Sequence, residues 1–151
     1  MKHKTHHFAK QEKVEETIAE FMSTPVQSVT RESTIREVSQ MMTERNIGSV
    51  LVKNGGEFIG IVTERDLTRK VIGKGLDPET TPVIEIMSSP LITLDGDEPV
   101  TNANQFMAKH KIRHLAVTIE GKIEGIISVV HLVYVLPLLI PLITERGEGS
   151  Y

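Results

Sequence analysis

Hydrophobic positions between residues 25 and 72 change from isolated apolar residues to helical spacing, then to two continuous runs, and then back to helical spacing. Thr34, with Glu37 three residues later, has the pattern of a capping box at a helix start. The apolar, β-branched runs 47–52 and 58–62 flank a polar segment with two glycines, which predicts a β-hairpin. The predicted order is an extended stretch after Pro25, a helix from Thr34 to about Asn46 with Ile35, Val38, Met41 and Met42 on its apolar face, strands over 47–52 and 58–62, and a helix from Thr63 to about Ile72.

The same order of elements returns 65 positions later (87 minus 22) without a gap. Residues 22–68 and 87–133 share about eleven identical pairs, whereas random pairing at ordinary composition would give roughly three. The second copy is predicted to contain a helix with Pro99 as its first residue, strands over 112–117 and 123–127, and a turn over 120–122. The chain is therefore one βαββα unit written twice.

A short apolar segment precedes each copy. Val14, Ile18 and Phe21 recur with helical spacing, which predicts an amphipathic lead-in helix over residues 11–22. We expect this helix to pack against the first copy. Residues 82–87 are predicted to form the corresponding short helical lead-in to the second copy.

The predicted fold class is α+β, because each unit combines a small sheet with helices on one side. Such a sheet cannot bury its apolar face alone, so we expect the two repeats to pack sheet to sheet as a pseudo-two-fold pair with clefts between them. The predicted segments are a flexible N-terminus over 1–10, the first repeat with its lead-in helix over 11–72, a linker over 73–81, the second repeat over 82–136 and a C-terminal tail over 137–151.

Composition narrows the class of protein. A length of 151 residues with 39% hydrophobic and 25% charged residues is typical of a soluble domain with a sizeable core. The net charge of -3 produces no field that would attract DNA, so no nucleic-acid partner is expected. Cysteine is absent, which excludes disulfides, and no signal-peptide pattern opens the chain, so we expect a cytoplasmic location.

One uncharged stretch, residues 126–143, approaches the length of a membrane helix. Its first part aligns with the strand and helix start of the first copy, and the remainder is short and interrupted by Pro137 and Pro141. We therefore expect no membrane insertion, and we interpret residues 132–143 as a tail that faces the core or a partner.

Three segments of the first copy resemble a cystathionine-β-synthase-type (CBS) domain: Met-Ser-Thr-Pro-Val at 22–26, Ile-Gly-Ser-Val-Leu-Val at 47–52 and Gly-Ile-Val-Thr-Glu-Arg-Asp-Leu at 60–67. The two copies resemble a CBS pair, or Bateman module, over about residues 15–136. The resemblance implies an adenosine-containing ligand in the clefts, whose presence is reported to an effector. It also implies a homodimer, commonly a flat disc of four repeats.

Thr63, Arg65 and Asp66 carry the candidate chemistry of the first copy. Thr63 is predicted to end a strand and cap a helix, which suits its hydroxyl to a phosphate or ribose oxygen. The resemblance implies that the Asp66 carboxylate accepts hydrogen bonds from both ribose hydroxyls, and Arg65 adds charge near a phosphate. By itself, the Thr-x-x-Asp pattern more often only stabilises a helix N-terminus.

The second copy departs from this pattern. Ser128 matches Thr63, but His131 stands at the position of Asp66. A neutral imidazole cannot accept both ribose hydrogen bonds. We therefore expect one main site, and a weaker second site that is empty, specific for another ligand or lined mainly for packing.

Further candidate ligand contacts come from the resemblance. Arg113 and His114 occupy a place where similar CBS pairs have basic residues that reach ligand phosphates; the alternative is a solvated strand end. The adenine ring is expected to rest against the segment Thr24, Pro25 and Val26 and against Ile47, through apolar contact and backbone hydrogen bonds.

No enzyme or metal signature appears in the sequence. His3, His6 and His7 lack a supporting carboxylate or cysteine cluster, so no metal site is predicted. Residues 73–75 lack the spacing of a phosphate-binding P-loop, and the GxGxxG, GxSxG and HExxH patterns are missing. We expect a protein that is not an enzyme and requires no cofactor.

Three hypotheses about function follow. In the first, the chain senses an adenine nucleotide (AMP, ADP or ATP) at Thr63 and Asp66 and signals to an unknown effector by conformational or dimer rearrangement. In the second, the clefts are vestigial, and helices and the apolar tail mediate assembly; His131 favours this and Asp66 opposes it. The third, a regulatory piece of an enzyme or transporter acting in trans, is not distinguished from the first by sequence.

Overall fold

The computed structural model describes residues 15–135, and side chains up to residue 132. The chain forms two copies of a βαββα unit, as the sequence predicts. The first copy contains β1 (Ser28–Thr30), α1 (Ile35–Arg45), β2 (Ser49–Asn54), β3 (Glu57–Thr63) and α2 (Glu64–Asp66), which continues as a π-helix over Leu67–Ile72. The second copy contains β4 (Thr93–Asp95), α3 (Val100–His110), β5 (His114–Ile119), β6 (Lys122–Ser128) and α4 (Val129–Val135).

Each copy has a three-stranded mixed sheet with the same topology. The middle strand pairs in parallel with the first strand and antiparallel with the third, in the orders β1-β2-β3 and β4-β5-β6. Equivalent residues also share register, since Ser49 pairs with Thr63 and His114 pairs with Ser128. The α+β fold class and the duplicated unit are confirmed.

The predicted signals at the helix and hairpin ends are present with small shifts. Thr34 and Glu37 form both bonds of the capping box of α1, and Asn46 ends the helix in a left-handed conformation. Pro99 is the N-cap of α3 rather than its first residue, so the helix begins at Val100, one position later than predicted. Strand β2 begins two residues later than predicted, because the N–H of Ile47 still donates to the carbonyl of Met42 at the helix end.

The predicted lead-in helix is wrong in conformation and in partner for its described part. Only Ile18–Glu20 is helical, as a single 3₁₀ turn, and residues 11–14 lie outside the described residues. Ile18 is fully buried in the core of the second copy, and its N–H donates to the carbonyl of Glu98 at 3.0 Å. Helical spacing reports an apolar face, but it does not reveal which copy covers that face.

The second lead-in makes the reciprocal exchange. Val83–Glu85 forms a 3₁₀ turn, which confirms the short helical segment predicted there. Val83 and Ile86 are buried in the core of the first copy. Each lead-in therefore completes the core of the opposite repeat.

The two sheets also contact each other directly. Leu51 and Ile61 of the first copy form a buried cluster with Ala116 of the second. Two isolated β-bridges are also related by the 65-residue repeat. Ser23 bridges to Ile126 of β6, and Ser88 bridges to Ile61 of β3. This exchange of equivalent contacts is what packing about a pseudo-two-fold axis produces.

The remaining sequence predictions fall partly outside the described residues. Within residues 15–135, no helix is long and apolar enough to cross a membrane. The histidines near the N-terminus and most of the tail 132–143 are not among the residues that the structure describes.

Candidate functional site

Two clefts lie between the described parts of the repeats. The Asp66 cleft, about 660 Å³, is bounded by Thr63 and Asp66 of the first copy and by Leu91 and Ile112 of the second. The His131 cleft, about 1090 Å³, is bounded by segment 24–26 and Ile47 of the first copy and by Ser128 and His131 of the second. Each cleft therefore joins the strand-end motif of one repeat to the N-terminal segment of the other.

The predicted site residues are divided between these clefts rather than brought together in one. Thr63, Arg65 and Asp66 line the Asp66 cleft. Thr24, Pro25, Val26 and Ile47, predicted as the adenine wall of the same site, instead line the His131 cleft with Ser128 and His131. Arg113 and His114 line both clefts.

The apolar wall that faces Asp66 was missed by sequence reasoning. It is formed by Pro90, Leu91 and Ile112. These residues stand 65 positions after Pro25, Val26 and Ile47, so the repeat contains the signal that identifies them. The repeat does not show that the N-terminal segment of each copy packs beside the strand-end motif of the other copy. This arrangement supplies each motif with an apolar wall from the opposite copy.

The Asp66 carboxylate is buried, with 8% of the residue exposed, and it already has partners. Its Oδ2 accepts from the N–H of Thr63 at 3.0 Å and from the Thr63 hydroxyl at 3.2 Å. Its Oδ1 pairs with Nζ of Lys70 at 3.0 Å. The helix-capping interpretation of Thr63 and Asp66 is therefore correct, and any ligand role of Asp66 exists beside it.

Cations dominate the Asp66 cleft. Among the described residues, its lining includes five basic side chains and two carboxylates, which gives a formal charge of +3 (5 minus 2) in a chain whose net charge is -3. The basic residues are Arg65, Arg69, Lys70, Lys111 and Arg113. A local excess of this kind favours an anionic ligand.

His131 repeats the capping role of Asp66 but not its chemistry. The N–H of Ser128 donates to Nδ1 of His131 at 3.3 Å. Because Nδ1 is the acceptor, a neutral ring carries its proton on Nε2 and presents a donor. The His131 cleft thus lacks, at this position, the acceptor pair that a ribose diol needs.

His114 lies half-buried between the two clefts. Gly48 makes room for its ring, since a methyl group there would lie 3.3 Å from Cε1 of His114. Burial lowers the pKa of His114 below 6.5; nearby Glu64 and, more weakly, Asp66 oppose this, while His131 and Arg113 add to it. The neutral ring is therefore favoured in the folded protein.

The lowered pKa of His114 predicts a pH dependence of stability. As the pH falls, His114 is protonated in the unfolded chain before it is protonated in the folded protein. The contribution of His114 to the free energy of unfolding is therefore complete above about pH 6.5 and is lost on acidification through the folded pKa. When the pH of urea unfolding is lowered from about 7.5 to 5, the free energy of unfolding should fall less in His114→Gln than in the unmodified protein.

His110→Gln is the matched control, because His110 is exposed on α3. If the free energy of unfolding falls equally on acidification in His114→Gln and in the unmodified protein, the assignment of the pH dependence to His114 is wrong.

No metal cluster accompanies the clefts within residues 15–135. These residues contain no group of three or more His, Cys, Asp or Glu side chains arranged to hold an ion.

Sequence and fold together define a family. The CBS-domain family model matches residues 18–73 and 83–138, so the chain belongs to the CBS-domain family as a tandem pair. The CBS domain-containing protein YhcV of Bacillus subtilis is 31% identical over 112 residues, which are 74% of this chain and 79% of YhcV. Two other curated relatives are longer, and the match spans 57% and 51% of their lengths.

Solved structures show the same fold. The CBS domain protein PAE2072 from Pyrobaculum aerophilum, complexed with AMP, is 29% identical with a TM-score of 0.72, covering 85% of this chain and 98% of that protein. The hexameric CBS-CP12 protein from bloom-forming cyanobacteria is 27% identical with a TM-score of 0.78, covering 85% of this chain and 76% of that protein.

Proposed function

We propose that this CBS pair is a regulatory module that binds an adenine nucleotide (AMP, ADP or ATP) in the Asp66 cleft and is not itself an enzyme. The observation that carries the proposal is a buried carboxylate in a cleft with a formal charge of +3 and an apolar wall. These features match the three parts of a nucleotide: a diol, phosphates and a flat base. The AMP complex of PAE2072 supports the same ligand class.

Each part of the cleft has a proposed role. Asp66 accepts hydrogen bonds from the ribose hydroxyls, and Thr63 holds the carboxylate in place through two bonds to Oδ2. Arg65, Arg113 and His114 contact phosphates. The adenine ring packs on Leu91 and Ile112, which replace Val26 and Ile47 in this role.

The His131 cleft is proposed as the weaker site. Thr24, Pro25, Val26 and Ile47 supply its apolar wall, and Ser128 and His131 stand where the diol would bind. A base can pack there, but the ribose lacks its acceptor.

Restoring the missing acceptor should create a second site. We expect His131→Asp to raise the number of AMP molecules bound per chain from one to two, because Arg113, His114 and an apolar wall already line that cleft. Isothermal titration calorimetry measures this number. His110→Asp adds the same charge outside both clefts, so a rise to two in that variant, or its absence in His131→Asp, would contradict the prediction.

Binding is proposed to signal by changing the relative orientation of the repeats or the arrangement of a homodimer, which an effector protein then reads. A ligand in the Asp66 cleft contacts both copies, so it favours one orientation over others. Assembly beyond the single chain occurs in the hexameric CBS-CP12 protein.

Thermal melting with AMP, ADP, ATP, NAD and S-adenosylmethionine tests the function. A ligand at about 100 times its dissociation constant should add roughly 2.7 kcal/mol to the free energy of unfolding. For a chain of this length, that corresponds to a rise in Tm of about 5 to 10 °C. A panel in which no adenosine-containing ligand raises the Tm would refute the sensor function.

The second candidate is an interaction module whose clefts do not bind ligands. One observation favours it: Asp66 is already satisfied by Thr63 and Lys70, as a purely structural cap would be. This candidate predicts no response to the ligand panel together with concentration-dependent self-association, which sedimentation velocity measures.

A further inference from the structure

Lys70 connects the Asp66 carboxylate, in the wall of the Asp66 cleft, to the backbone of Ile86. Its Nζ lies 3.0 Å from Oδ1 of Asp66 and donates to the carbonyl of Ile86 at 2.9 Å. Asp66 and Lys70 belong to the first copy, whereas Ile86 belongs to the segment that leads from the first copy into the second. A single ammonium group therefore ties the candidate diol acceptor to the connection between repeats.

The segment around Ile86 packs against the first copy and continues along the chain into the second. Ile86 itself is buried in the core of the first copy. Ser88, two residues later, exchanges both backbone hydrogen bonds with Ile61 of β3, at 2.8 and 3.1 Å. Strand β4 of the second copy begins five residues beyond Ser88, so Ile86 and Ser88 lie on the chain segment that leads directly into the second repeat.

The Asp66 carboxylate has too few free acceptor positions for a diol while Lys70 is bound. A carboxylate offers about four lone-pair positions. Thr63 uses two of them on Oδ2, and Lys70 uses one on Oδ1. About one position remains, whereas two adjacent hydroxyls bring two donors.

We propose that Lys70 is a latch, a positioning residue that a diol ligand must displace from Asp66. Displacement weakens its hold on the Ile86 carbonyl and loosens the connection between the repeats. This inference rests on the proposed nucleotide function of the Asp66 cleft and adds the step by which occupancy reaches the second copy.

The second copy lacks both members of the latch. The positions equivalent to Asp66 and Lys70 are His131 and Val135, so the carboxylate and the ammonium are absent together. A latch confined to the first copy agrees with a single diol site.

Lys70→Met tests the latch, because it keeps the side-chain length and removes the charge. Adenosine is the probe, since it carries the diol without phosphates that Lys70 would attract. We expect Lys70→Met to bind adenosine about two- to fivefold more tightly than the unmodified protein, because the competing ion pair is gone. Lys70→Arg should keep the unmodified affinity.

Hydrogen exchange at the amides of Met87 and Ser88 provides the second readout. Adenosine should speed their exchange in the unmodified protein. In Lys70→Met, exchange should be fast without ligand and unchanged by adenosine. Lys74→Met removes the same charge from an exposed position outside the cleft lining and should behave like the unmodified protein.

The outcomes separate the latch from the nucleotide function. If adenosine binds the unmodified protein but Lys70→Met binds it equally or more weakly, or if exchange at Met87 and Ser88 ignores the ligand, the latch is wrong and nucleotide binding stands. If neither adenosine nor AMP binds the unmodified protein, the nucleotide function fails and the latch fails with it.

Discussion

Replacing Asp66 with alanine is expected to remove most of the stabilisation that AMP gives this protein. At about 100 times its dissociation constant, AMP should add roughly 2.7 kcal/mol to the free energy of unfolding of the unmodified chain. Asp66 is the buried carboxylate of the cleft, and alanine has no acceptor for the ribose hydroxyls. Thermal melting with and without AMP measures the loss.

The ligand-induced change in Tm is the relevant quantity, because Asp66 also caps α2 and pairs with Lys70. Loss of the cap alone should lower the free energy of unfolding by about 1 kcal/mol. Glu37→Ala is a matched control, since it removes the equivalent capping-box carboxylate of α1, which lies outside the lining of both clefts. An AMP response that survives in Asp66→Ala would show that the ligand binds elsewhere.

Replacing Ile18 with alanine is expected to cost about 2 to 5 kcal/mol of the free energy of unfolding. Ile18 is 0% exposed and packs with the core of the second copy, including Leu115 and Ile127. The truncation leaves a cavity in a region where the backbone of Ile18 is held by Glu98, so the site collapses only partly. Urea unfolding measures the loss.

The location of the lost stability within the fold tests whether each lead-in segment packs in the core of the opposite repeat. Hydrogen exchange in Ile18→Ala should quicken first in α3 and β5 of the second copy, rather than in α1. Ile72→Ala is the control, since Ile72 is 76% exposed and its truncation should change the free energy of unfolding by less than about 0.5 kcal/mol. Faster exchange confined to α1 would mean that Ile18 supports the first copy.

Local sequence signals predicted most of the fold. The capping box of Thr34 and Glu37 and the hairpin glycines act over a few residues, so each could be identified without knowledge of the rest of the chain. The 65-residue repeat then extended these predictions to the second copy. The π-helix over Leu67–Ile72 was not predicted, because its apolar spacing is not distinguishable from that of an α-helix over six residues.

Contacts between the copies could not be predicted in the same way. Periodicity identified Ile18 as apolar and buried, but not that the second copy buries it. The same crossing separates Asp66 from Val26 and Ile47 and supplies Leu91 and Ile112 in their place. Lys70 has a local signal, an acid and a base four residues apart, but its bond to the carbonyl of Ile86 depends on tertiary structure.

The two copies therefore share a backbone fold, but they do not share the same ligand-binding chemistry. Both motifs cap a helix, through Asp66 in one copy and His131 in the other. Only the carboxylate can accept two hydroxyl donors. The proposed sensor is consequently asymmetric, with one main nucleotide site and a weaker second site in a nearly symmetric fold.

An amide chemical-shift titration with AMP tests this central claim most directly, because it reports which cleft the nucleotide occupies. Binding in the Asp66 cleft predicts large shifts for Thr63, Asp66 and Leu91, and smaller ones for Ser128 and His131. The largest shifts at Ser128 and His131, or no shifts at saturating AMP, would contradict the account.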